Sequence, residues 1–423
     1  MLFWRCKKCS MPKRVRGPIV IVGAGLTGGT AAKTLRKQGY ADELLILGEE
    51  PSFPFGRPPL TKGYLRGEED LSGWMVAPLD WYKAHQIQLV PAKVSGVDPA
   101  AKQVKLESGD AIGYEQLLLA TGGRNRRFDV PGAHLPGIHQ LRTIAECDAI
   151  KRAAKPGAHA LVVGSGFIGS EVAASLRQLG LKVTSVMRGK APLDEVLGPE
   201  VGGVFGAIHR VAGIELVAKD EVVRFEGSLR VERAVTKKGR RLACDLVVVA
   251  VGIEPNVEVV RGSGVATRDG ILVDATCRTN VAGIFAAGDV ANHLHPIFGR
   301  VRVEHYNNAE KQAVAAARSM LGSRAAYRYM HSFWSDQFEH KLEYVGHARK
   351  WDRFVVRGSL DERKFVGFYL QAGKLLAAVG LNRGGDPEKD KDGDLAKAGR
   401  LIAKGARPSP TLLADEKVNL ESL

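Results

Sequence analysis

The sequence predicts an α/β chain in which one nucleotide-binding architecture occurs twice and a third, α+β domain follows. Three observations carry that prediction. An apolar strand run, a glycine turn, a helix-length stretch and a second apolar strand occupy PIVIVGAGLTGGTAAKTLRKQGYADELLILGEE. The same order returns in HALVVGSGFIGSEVAASLRQLGLKVTSVMRGK, an internal repeat that sets Gly164 where Gly23 stood. From about His331 the text changes to alternating, aromatic-rich segments, FWSDQFEHKLEYVG, DRFVVRGS and KFVGFYLQAGKLLAAVGLN, which read as an antiparallel sheet.

The bulk numbers agree with three domains, since 423 residues at roughly 150 per domain gives about three. We expect a flexible basic leader over 1–17, a first dinucleotide-binding domain over 18–133 and 262–330, a second over 134–261, and the α+β domain over 331–423. In the first domain the repeat is followed by VKLESGDAIGYEQLLLATG; in the second, by LRVERAVTKKGRRLACDLVVVAVG. Short glycine-punctuated strands then lead to IFAAGDVAN and to a helical pattern, EHYNNAEKQAVAAARSML. NRGGDPEKDKDGD reads as a loop before a last helix, DLAKAGRLIAKG, and the tail after Pro408 as loosely ordered.

Composition narrows the class. A hydrophobic share of 45% beside 25% charged residues is ordinary for a globular protein, and no apolar run reaches the ~18 residues of a membrane span. The basic start lacks a secretory apolar run, so the expectation is a soluble, cytoplasmic chain. Five scattered cysteines (Cys6, Cys9, Cys147, Cys244 and Cys277) argue against a disulfide framework. Cys6 and Cys9 form half of a metal ligand set with no second pair, so no metal is expected. The net charge of +15 suits an acidic partner, or serves solubility alone.

The chemistry sits first on the glycines. Gly23 permits a tight turn, Gly25 lets backbone approach a pyrophosphate, and Gly28 lets the helix pack on the strand, while the helix opening at Leu26 offers free N–H groups to phosphate. Glu49, at the end of the next strand, is placed to accept ribose hydroxyls. Gly164, Gly166 and Gly169, with Phe167 and Ile168 opening the second helix and Glu171 following, repeat the arrangement. Two dinucleotide sites in one chain point to hydride transfer from a nicotinamide to a flavin, hence to FAD with NADPH or NADH. The second repeat ends in Met187, Arg188 and Lys190, where NAD sites usually carry an acid. These cations favour NADPH by meeting a 2′-phosphate, the alternative being that Arg188 is a solvated loop residue.

FPFGRPPLTKGYL, LLLATGGRNR, VVVAVGIEPN, TNVAGIFAAGDV, RVEHYNNAEKQ and FWSDQ stand in that order along the chain. From about Pro18 to Asn382 the sequence resembles the oxygenase-coupled NAD(P)H-dependent ferredoxin reductases. The resemblance implies a glutathione-reductase-like FAD/NAD(P) fold. It implies that Gly25, Gly48, Glu49, Arg57, Lys62, Val94, Ala120, Thr121, Gly122, Arg126 and Asp289 line FAD, with Gly252 and Gly288 in the same cofactor-binding set. Lys62 is expected near the reactive edge of the flavin, where a cation favours the reduced anion. Glu171 would pair with Lys62, and Glu304 and Trp334 would stand near the flavin and the nicotinamide pocket. The competing readings are a solvated loop lysine, a helix-start acid held by the dipole, and a buried structural tryptophan.

Two positions depart from the family pattern: Gly56 precedes the arginine where an acid is usual, and Tyr306 stands where several relatives carry Trp. No cysteine lies between Glu49 and Lys93, so the flavin-adjacent disulfide of the disulfide reductases is lacking and electrons must go to an external acceptor. An acidic ferredoxin is the expected partner, with no specific nucleic acid, no membrane, and a monomer or weak homodimer as the assembly. Two alternatives stay open: a stand-alone NAD(P)H oxidase or quinone reductase, and a nucleic-acid-binding flavoprotein of the apoptosis-inducing-factor kind.

Overall fold

The computed structural model describes residues 16–423. The basic leader up to Val15, with Cys6 and Cys9, lies outside the described residues. Strand β1 (Ile19–Val22) is IVIV and buried along its whole length, as a central parallel strand covered on both faces must be. Helix α1 (Leu26–Lys37) returns the chain to strand β2 (Leu44–Gly48). The sheet runs Ile284–Ala286, Gln116–Leu119, β1, β2, Ile87–Pro91, every neighbour parallel. Ala31 and Ala32 of α1 share a core with Ala313, Ala316 and Ala317 of the helix Tyr306–Met320, small side chains that let the two helices approach closely.

The repeat seen in sequence recurs in space. Strand β3 (His159–Val163), helix α2 (Phe167–Gln178) and strand β4 (Lys182–Met187) form a second unit. Its parallel sheet runs Ile214–Ala218, β4, β3, Leu246–Val249, Ile138–His139. Gly123–Asn125 pairs antiparallel with Ile253–Pro255 and ties the two units together.

The last unit is a five-stranded antiparallel sheet in the order Ser332–Gln337, His340–Gly346, Lys374–Leu381, Lys364–Gln371, Arg353–Ser359. Helix Asp394–Lys404 covers one face through Leu395, Ala398, Leu401 and Ile402. Leu342, Tyr344 and Phe365 pack toward Leu197, Val201 and Phe205 of the second unit.

The expectation of a loose tail after Pro408 is overturned. A short helix, Pro410–Ala414, and a final turn bury Leu413 and Leu420 completely in the core of the third unit. The buried Arg357 guanidinium explains the docking: it donates to the carbonyls of Leu413, Asp415, Glu416 and Val418, acceptors that a buried cation needs and a free tail would not supply. Among the described residues no helix is long and apolar enough to cross a membrane.

Candidate functional site

Both glycine loops are dictated by close backbone contact. At Gly23, φ is +119°, and a Cβ there would lie 2.1 Å from the carbonyl oxygen of Ala120; at Gly164, φ is +103°, and a Cβ would lie 2.3 Å from that of Ala250. A Cβ on Gly28 or Gly169 would strike the Gly23 or Gly164 carbonyl. Gly25 and Gly166 differ, because a Cβ on either would meet nothing within 4 Å. Each caps its helix without any side-chain acceptor, and no acid occupies either first turn. The N–H groups opening at Leu26 and at Phe167 and Ile168 have no acceptor among the described residues, which leaves them as the donor set a pyrophosphate requires. These residues fit a dinucleotide at each loop.

Around the first loop the predicted residues gather. Gly48 lies so close to Ala24 that a Cβ would sit 2.4 Å from its side chain, and Gly288 (φ +77°) is held equally close to Thr27. Glu49 is exposed at the end of β2, whereas Glu50 is occupied: it accepts from Arg57 Nη2 at 2.8 Å and from the Ile144 backbone at 3.0 Å. Arg57 Nη1 donates to the Arg142 carbonyl at 2.5 Å, and Arg142 Nη2 pairs with Asp289 at 2.8 Å. Ala120 ends buried against the loop, while Thr121 and Asn256 exchange side-chain and backbone hydrogen bonds at 2.7 and 2.9 Å. Gly122 and Gly252 both take positive φ, and the Arg126 backbone N–H donates to the Gly252 carbonyl at 3.0 Å. Val94 stands apart, largely buried in the small antiparallel sheet with its side chain among core residues.

Lys62 and Glu171 meet between the first two units. Lys62 Nζ lies 2.5 Å from Glu171 Oε2, with the side chains 14% and 7% exposed. Thr61 Oγ1 donates to the same oxygen at 2.5 Å, and Ser335 Oγ donates to Oε1 at 2.7 Å. Glu171 lies past the first turn of α2, so neither the helix-start acid nor the solvated loop lysine describes this pair. Trp334 is half-buried. With Lys62, Arg66, Trp74, Asp336 and Phe338 it lines a cavity of about 230 Å³, so it is a wall residue as well as a packed one. Glu304 is exposed and pairs with Arg302 at 2.6 Å, away from the Lys62 cluster's hydrogen bonds.

The two departures from the family pattern touch one another. A Cβ on Gly56 would lie 2.4 Å from the Tyr306 ring, which packs edge-on against both Trp74 and Trp334. Any side chain at position 56 would displace that aromatic group.

Arg188 is exposed at the end of β4 and forms no hydrogen bond or ion pair among the described residues, while Met187 is buried. Asp194 fixes the loop behind it by accepting from the Lys190 and Ala191 backbones at 2.6 and 3.2 Å. Cys147, Cys244 and Cys277 are buried and unpaired, and burial pushes each thiol up to about 12, so none is poised as a nucleophile. Sequence reasoning missed Thr61, Ser335, Arg142 and Asn256. Three of them stood inside or beside quoted motifs; Arg142 had no motif to announce it.

Residues 17–313 match the family described as pyridine nucleotide-disulphide oxidoreductase, and residues 332–423 match the reductase C-terminal family. Rhodocoxin reductase from Rhodococcus erythropolis is 37% identical over 95% of this chain and 93% of its own. The ferredoxin–NAD(+) reductase component of the biphenyl dioxygenase system from Paraburkholderia xenovorans (strain LB400) is 34% identical over 96% and 98%. Among solved structures, the reductase in the covalent putidaredoxin reductase–putidaredoxin complex superposes with a TM-score of 0.91 at 31% identity, covering 96% of this chain and 98% of that one.

Proposed function

Because the chain belongs to the pyridine nucleotide-disulphide oxidoreductase family and carries the reductase C-terminal domain, we propose that it is an FAD-dependent NAD(P)H:ferredoxin oxidoreductase. It takes hydride from NAD(P)H on to flavin and passes single electrons to a ferredoxin-type iron–sulfur protein. The observation that carries this reading is the Lys62–Glu171 pair bridging the two units whose glycine loops are each built for a dinucleotide. The relatives named above are a rhodocoxin reductase, the ferredoxin–NAD(+) reductase component of a dioxygenase system and a reductase held covalently to putidaredoxin, and they align with this chain nearly end to end.

When bound, the flavin supplies the step from two-electron to one-electron chemistry that no side chain can perform. The chain's own work is positioning and electrostatics. Residues 18–133 with 262–330 would hold FAD: the N–H groups at Leu26 take the pyrophosphate, Glu49 the ribose, and Asp289 the ribityl-phosphate part. Residues 134–261 would hold the nicotinamide nucleotide over α2. Lys62, its charge shielded from water and oriented by Glu171, favours negative charge developing beside it. Trp334 walls the nicotinamide side of the pocket. Arg188, with no partner among the described residues and two positions before Lys190, favours NADPH over NADH.

Electrons leave to an external acceptor because the described residues between Glu49 and Lys93 hold no cysteine and the buried thiols are inert. The net charge of +15 suits an acidic ferredoxin, steered at a distance and weakened by salt.

Anaerobic reduction of the purified yellow protein by NADPH and by NADH, followed by addition of ferredoxins or free quinones, tests this reading. Rapid bleaching followed by rapid reoxidation with a ferredoxin is the expected result. Reoxidation by oxygen or quinones alone would replace the ferredoxin assignment with a small acceptor, and absence of bleaching would remove the catalytic reading.

A further inference from the structure

The Glu171 carboxylate is the end of a hydrogen-bonded line that begins on another helix. His209, on the helix Pro199–Val211, has Nε2 2.7 Å from Gln337 Oε1. Gln337 Nε2 donates to Ser335 Oγ at 3.4 Å, and Ser335 Oγ donates to Glu171 Oε1 at 2.7 Å. All four side chains are buried, Ser335 completely.

The direction of the line follows from the charge at its end. A carboxylate accepts and cannot donate, so the single Ser335 proton goes to Glu171. Ser335 then accepts from Gln337, which commits the amide nitrogen and turns the amide oxygen toward His209. A carbonyl oxygen only accepts, so the His209 proton is on Nε2. One buried charge thereby selects a hydroxyl rotor, an amide orientation and an imidazole tautomer. His209 Nδ1 has no partner among the described residues, and its ring packs edge-on against Phe338, so the Nε2 contact is its one polar tie. Burial lowers the tendency of His209 to take a second proton, which keeps this arrangement. Donors aligned in one sense polarise one another, so the last donor acts more strongly than an isolated serine.

We propose that Ser335, Gln337 and His209 are positioning residues that fix the Glu171 carboxylate, and through it Lys62, for the hydride-transfer reaction, a role that rests on the function proposed above. The line joins all three units of the fold: His209 lies on the second, Ser335 and Gln337 on the first strand of the third, and Lys62 on the first.

The test uses the full flavin-loaded chain, selectively labelled with 13C at the glutamate δ-carboxyl, the Glu171 resonance being assigned by its loss in Glu171→Gln. Gln337→Leu and His209→Leu touch no atom of the carboxylate, yet both are expected to shift that resonance in the resting protein. Bleaching at saturating nucleotide should slow about tenfold in Ser335→Ala and about threefold in His209→Leu, with the half-saturating nucleotide concentration unchanged. Ser335→Thr, which keeps a hydroxyl, and His209→Gln, which returns an N–H near the Nε2 position, should recover both signals. An unmoved resonance and unaltered rates in the leucine variants, beside normal bleaching of the parent protein, would overturn the line alone. Rates lost together with the fold, without recovery by the Thr and Gln variants, would also overturn it. If the parent protein is bleached by neither nucleotide, the function and the role of the line in it fall together, while the resonance still reports whether His209 reaches Glu171.

Discussion

Lys62 and Glu171 hold opposite charges where neither has much water, and removing one partner of such a pair leaves the other poorly compensated. Glu171 keeps two hydroxyl donors, Thr61 and Ser335, so the fold has a means of tolerating the loss of the lysine. Lys62→Met is therefore expected to keep FAD bound and the protein yellow while slowing its reduction by about tenfold or more. Stopped-flow bleaching at the parent rate would dismiss the role of the cation. Past the end of β4, Arg188 has no competing partner among the described residues, so on the proposed reading a change there acts on the nucleotide directly. Arg188→Glu should move the ratio of kcat/KM for NADPH over NADH toward NADH by about tenfold or more, since on the proposed placement it exchanges a cation for an acid where the 2′ group would lie. An unaltered ratio would reassign Arg188 to the solvated surface.

At the scale of elements, the C-terminal segment is the clearest case of structure made by its partner. Leu413 and Leu420 are fully buried and the Arg357 guanidinium finds most of its acceptors on this segment. Burying two leucines stabilises by about 3–6 kcal/mol before the loss of chain entropy, and their removal strands a buried cation beside Asp394. Deletion of residues 409–423 should lower the thermal midpoint of the third unit by several degrees and expose apolar surface to dye. A truncated protein that melts with the parent would mean the docked tail contributes nothing.

The whole molecule carries a cluster of imidazoles where the first unit meets the third. His293, His295, His331 and His347 lie with ring centroids 5.0 to 6.3 Å apart around His331, and neither ring nitrogen of His293 or His331 has a partner among the described residues. Burial, and then the neighbouring imidazoles, push His293 down to about 3 and His331 lower still. Burial likewise holds His305 and His347 at about 4. Unfolded histidines titrate near 6.5, so as pH falls below that value the unfolded chain takes protons that the folded chain refuses. Stability is full above about pH 6.5 and drains away toward pH 4, by about 2 kcal/mol at pH 5 for each of the two fully buried rings. Thermal midpoints should therefore fall steeply between pH 6.5 and 4.5, less steeply in a His293→Phe, His331→Phe double variant. Parallel curves for the two proteins would remove the cluster as the cause.

By itself the sequence determined the repeat and the chemistry of its turns. Gly28 and Gly169 are required by the carbonyls of Gly23 and Gly164 five positions before them, a local constraint that is written in nearby letters, and the fixed spacing of the other glycines marks the same turns. Apolar runs such as IVIV and the alternation after His331 marked the strands for the same reason. Tertiary structure alone decided which distant residues share a site. Ser335 and Glu171 are 164 positions apart, Arg142 and Asp289 147, and nothing local constrains a serine to face a carboxylate or an arginine to face an aspartate. The tail was misjudged because its composition is that of a loose end; its order comes from Arg357, a buried charge elsewhere in the chain that needs the tail's carbonyls. Such residues are placed by desolvation, which forces a buried polar group to find a partner wherever folding brings one, and that partner has no fixed spacing in the sequence.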